Sequence, residues 1–330
     1  MKSAVKTIGV LTSGGDSPGM NAAIRSSVRR ALQKGVAVKG IYEGYSGLIY
    51  DKVKDMTAYD VSDIIQKGGT ILHTARCPEM LTEKGVLQAV ETCKKHGIEG
   101  LIVIGGDGSF KGALQLAHHG INVVGVPGTI DLDISCTDYT IGFDTAVNTA
   151  LEAIDKVRDT SAAHERVSIV EVMGRHAGYI ALWCGMGSGA EDILLPETYD
   201  YDEEKLIENI ITNRKNGKTH HLIINAEGIG HSTSMAKRIE AATGISTRAT
   251  ILGHMQRGGS PTSRDRMYAS IMGSNAADIL IEGKTNRVVV HKNGEFTDCD
   301  IDEGLAMKKD LPIEQYEIAK SMSFKYGVKR

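Results

Sequence analysis

The stretch from Leu101 to Asp133, LIVIGGDGSFKGALQLAHHGINVVGVPGTIDLD, limits the folds open to this chain more than any other. It holds two short apolar runs, each ending in a glycine-bearing loop with acidic and hydroxyl residues. Leu101 to Ile104 is too short and too β-branched for a helix, and Gly105-Gly106 stops it. That predicts a buried strand opening into Asp107-Gly108-Ser109. Phe110, Leu114 and Ala117 then recur at helical spacing before Gly120. Asn122 to Val126 predicts a second strand, which Pro127-Gly128 turns into Thr129-Ile130-Asp131-Leu132-Asp133. The product is a strand–loop–helix–strand unit with Asp107, Asp131 and Asp133 at strand ends. Ligands of open parallel sheets sit beyond the carboxyl ends of strands. Glycines there let backbone N–H groups approach phosphate oxygens, and a carboxylate beside phosphates most often holds Mg²⁺.

The same punctuation recurs along the chain. Thr7 to Leu11 reads as a strand, and Thr12-Ser13-Gly14-Gly15-Asp16-Ser17-Pro18-Gly19 opens into a helix from about Asn21 to Lys34, closed by Gly35. This is a phosphate-type loop at a helix start, but not a Walker A sequence. Two Gly-Lys-Thr tripeptides, at Gly217 and Gly283, lack the leading glycine and read as helix ends. Helices are expected near Val86 to His96, Thr145 to Arg158, Glu203 to Arg214, Thr233 to Ala242 and Ser263 to Gly283. Strands are expected at Val167 to Val172, Leu222 to Asn225 and Arg248 to Leu252, and a hairpin at Val288 to Glu295 turning at Asn293-Gly294. A further helix after Met173-Gly174-Arg175 carries Trp183 and Cys184, both read as core. Alternating strands and helices in both halves predict an α/β fold of two Rossmann-like lobes with mainly parallel sheets.

A length of 330 residues suits two such lobes, and 41% hydrophobic with 24% charged residues is ordinary soluble composition. A net charge of −3 argues against nonspecific nucleic-acid binding. Cys77, Cys93, Cys136, Cys184 and Cys299 are odd in number and scattered, suggesting neither a disulfide framework nor a zinc site. No apolar run approaches a transmembrane length and the start has no signal-type apolar region, so a cytoplasmic protein without membrane partners is expected.

Gly105-Gly106-Asp107-Gly108-Ser109 and Pro127-Gly128-Thr129-Ile130-Asp131 resemble the two signature loops of the bacterial-type ATP-dependent 6-phosphofructokinases. The segment Gly68 to Arg76, the Met173-Gly174-Arg175 loop and Gly253-His254-Met255-Gln256-Arg257-Gly258-Gly259 extend the likeness, which spans about Ile8 to Asp265. The resemblance implies an ATP-binding lobe of residues 1–141 with 255–305 and a fructose-6-phosphate lobe of 142–254 with 306–330, the active site lying in the cleft between them. It implies transfer of a phosphoryl group from ATP to the 1-hydroxyl of fructose 6-phosphate in glycolysis. Such a transfer needs charge neutralisation, Mg²⁺ and a base.

Each role falls, by resemblance, on a matching residue. Asp107 holds Mg²⁺, while Gly15, Arg76, Cys77, Gly106, Gly108 and Ser109 join it around ATP. Asp131 is the base, Thr129 and Asp133 position groups beside it, and Arg175 stabilises the transferring phosphoryl. An ordinary aspartate, with pKa ~3.9, is already ionised at neutral pH. Arg166, Arg248, His254 and Arg257 form the cradle for the sugar's phosphate, with Met173, Gly174 and Glu227 at the sugar. Arg166 and Arg248 serve the neighbouring subunit of a homotetramer. Arg25, Arg29, Arg158, Glu191 and Lys218 match an allosteric site for a nucleotide or metabolite, in which Ala58 and Asn216 replace basic residues.

Two departures lie nearer the chemistry: Leu132 stands where Asn is usual between the aspartates, and Tyr179 where Asp is common. They motivate a competing reading, a regulatory or sugar-phosphate-binding paralogue that has lost catalysis. Pyrophosphate-dependent relatives carry Asp and Lys in place of Gly108 and Gly128, and both positions are glycine here. A lipid or nucleoside kinase with a similar first loop leaves the Gly253–Gly259 segment unexplained. Taken singly, an aspartate after a strand is more often a helix cap and a lone arginine a solvated one.

Overall fold

The computed structural model describes residues 5–198 and 202–323. The expected tail beyond Asp310 runs past the last of these. In chain order the elements are β1 (Thr7–Thr12), α1 (Met20–Gln33), β2 (Ala37–Ile41), α2 (Gly44–Ile49), β3 (Val53–Met56), α3 (Glu83–Lys95), β4 (Gly100–Gly105), α4 (Asp107–Ala117) and β5 (Asn122–Pro127). Then follow α5 (Phe143–Ala163), β6 (Val167–Val172), α6 (Tyr179–Ser188), β7 (Asp192–Leu194), α7 (Glu203–Lys215), β8 (His221–Ala226), α8 (Ser232–Thr243) and β9 (Thr247–Ile251). The chain ends with α9 (Ser263–Ile281), β10 (Arg287–Lys292), β11 (Glu295–Asp300), α10 (Ile301–Ala306) and α11 (Ile313–Met322). It divides into two compact units. The first is Met1–Ile130, Ile134–Thr145 and Arg257–Lys309, and the second is Asp131–Asp133, Ala146–Gln256 and Asp310–Arg330.

The first unit is built on a seven-stranded sheet of order β11-β10-β5-β4-β1-β2-β3. β2, β1, β4, β5 and β10 run parallel, and β3 and β11 are antiparallel edges. Both faces are covered, as parallel strands require. Ile8, Val10, Ile102, Ile104, Val124 and Val126 pack with α1 and α9 on one face. Their neighbours Leu11, Leu101, Val103 and Val123 pack on the other, with residues of α2, α3 and α4. The alternation is the two-residue period of a strand, buried on both sides. Helices α1 and α9 meet through small residues: a β-carbon on Gly273 would stand 2.4 Å from the Ala23 carbonyl oxygen, and Ser27 Oγ donates to the Gly273 carbonyl at 3.0 Å.

The second unit has a four-stranded, all-parallel sheet of order β7-β8-β6-β9. Val167, Ile169 and Ile223 pack on one face with Leu206 and Ile210 of α7 and Met235 and Ile239 of α8. Helix α6 contacts β8 and also leans on α5, where Leu151 Cδ2 lies 3.4 Å from where a β-carbon on Gly187 would stand.

Some expectations need correction. Helix α5 is longer than its apolar spacing suggested, with Val147 and Ile154 buried but Leu151 and Val157 only partly so. Trp183 is not core: it is 41% exposed, and Met186, three residues on, shares its face at 37%. Cys184, a helical step away, points inward and is fully buried. An apolar helix segment has no periodic signal to say which side faces out. The hairpin's strands extend beyond the expected Val288 to Glu295, while Asn293 and Gly294 both take positive φ, 52° and 84°, as a tight type I′ turn requires.

One buried carboxylate anchors the first unit. Asp265 accepts hydrogen bonds from Tyr139 Oη (2.5 Å), Gly142 N (2.7 Å), Thr145 N (2.9 Å) and Thr145 Oγ1 (2.5 Å), and has no exposed surface. Burial pushes its pKa up, while the bonds from Thr145, Tyr139 and Gly142 pull the other way. Asp265→Ala leaves several buried donors without an acceptor at about 1–3 kcal/mol each. The stability measured by urea denaturation should therefore fall by about 3 kcal/mol or more, and an unchanged midpoint would show that the network is not structural.

Candidate active site

In the first unit, three loops leave the carboxyl ends of adjacent parallel strands. After β1, Ser13 N bonds the Ile104 carbonyl oxygen at 2.9 Å, which ties the loop start to the end of β4. Gly14 takes φ 86°, and a β-carbon on Gly15 would lie 2.5 Å from Arg257 Nη1. The guanidinium of Arg257 thus rests against the glycine and donates to the Asp16 carbonyl at 3.1 Å. After β4, Gly105 can only be glycine, since a β-carbon would stand 2.5 Å from the Ser13 carbonyl oxygen. Asp107 follows as the first residue of α4, half-buried, with Gly108 exposed and Ser109 buried. After β5, Gly128 N bonds the Gly105 carbonyl at 3.0 Å and carries the chain to Thr129. Helix starts facing such loops present free N–H groups and a partial positive charge, a setting suited to phosphate.

The Gly68 to Arg76 segment is hung on this frame. Thr12 Oγ1 donates to the His73 carbonyl (2.8 Å), Thr74 Oγ1 donates to the Gly14 carbonyl (2.8 Å), and Asn21 Oδ1 accepts from Ile71 N (2.8 Å). These polar residues were not singled out from the sequence, because nothing in the spacing shows which distant backbone they satisfy. Arg76 emerges exposed at the end, and burial raises the pKa of the neighbouring Cys77 thiol.

The second unit holds its own set at the carboxyl ends of β6, β8 and β9. Glu227, after β8, accepts from Gly174 N (3.2 Å) and Arg175 N (2.5 Å) of the loop after β6. Arg175 is exposed and left-handed, at φ 58°, a conformation that the bonds of its own amide and of Gly174's to one carboxylate stabilise. Gln256, fully buried, accepts from Met173 N at 2.8 Å and fixes the other side of that loop. Its signal in the sequence was only its place in the Gly253–Gly259 segment. His254 lies exposed in the short 3₁₀ turn Gly253–Arg257. Asp131 is buried, Asp133 half-buried, and Leu132 between them is left-handed at φ 57°. Asn tolerates that conformation better than Leu, which costs about 1–2 kcal/mol there. Tyr179 is buried, its pKa pushed up to about 12 by that burial, and its hydroxyl donates to the Asp310 carbonyl at 3.0 Å.

Other expected site residues lie elsewhere. Arg166 immediately precedes β6, and Arg248, facing Ser168 in the register, sits near the start of β9. Both are therefore at the amino-terminal rim of the second sheet, whereas Met173, Glu227 and His254 are at the carboxyl rim. Six residues of β6 separate the rims by roughly 20 Å at ~3.3 Å per residue. Arg257 belongs to the first unit, on Gly15. Arg158, Glu191 and Lys218 gather at the amino-terminal side of the second sheet. Lys218 pairs with Glu191 at 2.5 Å, Arg158 donates to the Ser188 carbonyl, and His220 nearby is lowered in pKa by burial. His221 begins β8, and its Nε2 lies 2.6 Å from Asp192 Oδ2. Arg25 and Arg29 lie on α1 in the first unit, Arg29 exposed and within 3.5 Å of the Ala58 carbonyl.

Among the described residues no cluster of three acidic, histidine or cysteine side chains could cage a metal. A single half-buried carboxylate at a phosphate-type helix start fits Mg²⁺ carried mainly by phosphate oxygens and water.

Comparison with known proteins agrees with this construction. The phosphofructokinase family profile matches residues 7–280. The ATP-dependent 6-phosphofructokinase of Clostridium acetobutylicum is 57% identical over 319 residues, covering 97% of this chain and 100% of the relative. The enzyme of that name from Clostridium botulinum matches at the same 57% identity and coverage. Pichia pastoris phosphofructokinase, solved in the T-state, superposes with a TM-score of 0.85 at 34% identity over 99% of this chain, which spans 40% of the yeast chain. With a family match over most of its length and relatives this similar from end to end, the chain belongs to the phosphofructokinase family.

Proposed function

We propose that this chain is an ATP-dependent 6-phosphofructokinase, moving the γ-phosphoryl group of ATP to the 1-hydroxyl of fructose 6-phosphate. The observation that carries the reading is that the Gly105–Ser109, Pro127–Asp131, Met173–Arg175 and Gly253–Gly259 loops all follow parallel strands at their carboxyl ends, with full-length relatives named for that activity. The first unit supplies the nucleotide half: Gly15, Gly106, Gly108, Ser109, Arg76 and Cys77 surround the phosphates, and Asp107 holds Mg²⁺. The ion, when bound, neutralises charge on the β- and γ-phosphates. Asp131 takes the proton of the sugar hydroxyl, Thr129 and Asp133 orient the groups beside it, and Arg175 meets the charge of the transferring phosphoryl. Met173, Gly174, Glu227, His254 and Arg257 hold fructose 6-phosphate. Glu227 has a second duty, since its carboxylate braces the backbone that aims Arg175.

The separation of Arg166 and Arg248 from Glu227 and His254 supports a homotetramer in which these two arginines complete a neighbouring subunit's site. Exposed Ile251 on edge strand β9 and exposed Trp183 and Met186 on α6 are apolar surface suited to such association. Arg25, Arg29, Arg158, Glu191 and Lys218 form the regulatory anion site of that assembly. No helix among the described residues is long and apolar enough to cross a membrane; it is the similarity to glycolytic 6-phosphofructokinases that supports work in the cytoplasm.

ATP rather than pyrophosphate is the donor. Space is open beyond Gly108 for a nucleotide, while at Gly128 a β-carbon would come within 3.1 Å of Ile104 Cγ2. Turnover with each donor and Mg²⁺ should favour ATP clearly, and a preference for pyrophosphate would overturn this assignment. Asp131→Asn keeps shape but removes the proton acceptor, so kcat should fall about 10²-fold or more with little change in melting temperature or in the KM for fructose 6-phosphate. Normal turnover would remove Asp131 from the mechanism, and fructose 6-phosphate binding by a wild-type protein without turnover would favour the non-catalytic paralogue. Arg248→Ala, which breaks an exposed 3.2 Å pair with Glu240 and a 2.9 Å bond to the adjacent Thr247 carbonyl within the protomer, should leave stability nearly unchanged. Its KM for fructose 6-phosphate should rise roughly 10- to 150-fold, the equivalent of a charge-assisted bond of about 1.5–3 kcal/mol. An unchanged KM would exclude Arg248 from the phosphate cradle.

A further inference from the structure

Cys136 and Cys299 are remote in sequence and meet in the first unit. Cys136 is buried in the segment that follows Asp133, and Cys299 is half-buried on β11, the outermost strand of the large sheet. Each thiol is the leading influence on the titration of the other. Both sulfurs crowd the same side of Gly304 in α10, with Cys136 Sγ 3.2 Å and Cys299 Sγ 3.4 Å from where a β-carbon on that residue would stand. Of the remaining thiols, Cys93 and Cys184 are buried and Cys77 is half-buried near the nucleotide loops.

We propose that Cys136 and Cys299 form a reversible dithiol switch, oxidised to an intramolecular disulfide by a low-molecular-weight disulfide such as oxidised glutathione. The two sulfurs are unequal, as an attacking and a resolving thiol should be. The neighbouring Cys136 thiol lowers the pKa of Cys299, helped by Arg287, against burial and the charges of Asp298 and Asp300. Cys136 is raised by its Cys299 neighbour and by burial, and also by the charge of Asp107. The more accessible Cys299 thiolate therefore attacks the glutathione disulfide, forming a mixed disulfide and releasing one glutathione thiolate. The Cys136 sulfur, giving up its proton, then displaces the second glutathione and closes the protein disulfide. In sum two protein thiols and one oxidised glutathione become one protein disulfide and two reduced glutathiones.

The consequence follows from where Cys136 sits. It is three residues beyond Asp133 and within electrostatic reach of Asp107, so a bond to the edge hairpin restrains the segment leading out of the loop that carries Asp131. The turnover part of this inference rests on the kinase reading above, and the chemical part does not.

The test treats full-length protein with oxidised glutathione and follows intact mass, free thiols and turnover. The expected product has lost two hydrogens, titrates for two fewer of its five thiols, and yields a Cys136–Cys299 cross-linked peptide. Turnover should drop as that product accumulates and return on reduction with dithiothreitol. Cys299→Ser should match the wild type when reduced and show neither the mass change nor the loss of turnover. Cys136→Ser should stop at the glutathione adduct on Cys299. No cross-link, or one between other cysteines, would overturn the site, and full turnover in the cross-linked protein would overturn its role as a switch.

Discussion

Every loop clustered in the first unit depends on the parallel ladder β1–β4–β5. From β1 the chain winds outward through β2 and β3, and from β4 it winds the other way through β5, so the connections diverge between β1 and β4. A crevice opens at such a divergence beyond the strand ends. Here it is lined by the loop from Ser13 to Gly19 and the start of α4. The register makes this possible only because Gly105 lets the Ser13 carbonyl approach closely, and because the Gly128 amide closes back onto Gly105. The signature loops are therefore also packing sequences, and their glycines are required by the backbone itself.

The second sheet repeats the arrangement in smaller form, with β6 between β8 and β9. Its carboxyl rim is rigidly made: one glutamate carboxylate holds two amides of the Met173–Arg175 loop, and a buried glutamine holds a third. That bracing explains how a non-glycine residue such as Arg175 keeps a left-handed backbone. Strain of this kind is typically retained where orientation matters. Leu132 is a second case, in which a buried aliphatic residue takes the conformation that an asparagine would adopt at less cost.

Tyr179 shows how a departure from a family pattern can be absorbed. The position begins α6, and the tyrosine ring is buried while its hydroxyl satisfies the carbonyl of Asp310. The residue has become part of how the C-terminal stretch is held to the second unit. Its distance in sequence from Asp310 hides this from any local reading.

What the sequence alone determined are the features encoded within a few residues. Strands from Thr7, Leu101, Asn122 and Val167, the helices that follow them, the Asn293-Gly294 turn and the reading of the two Gly-Lys-Thr tripeptides as helix ends all come from local periodicity and turn chemistry, and the structure has them. The loops that could bind phosphate were legible for the same reason. Tertiary structure alone decided which groups meet. It placed Arg257 on Gly15, set Arg166 and Arg248 at the far rim from Glu227, turned Trp183 outward, gathered four donors around Asp265 and brought Cys136 to Cys299. Such pairings join residues separated by tens to hundreds of positions, and they are fixed by strand order and helix docking. Neither leaves a mark in the spacing of residues along the chain.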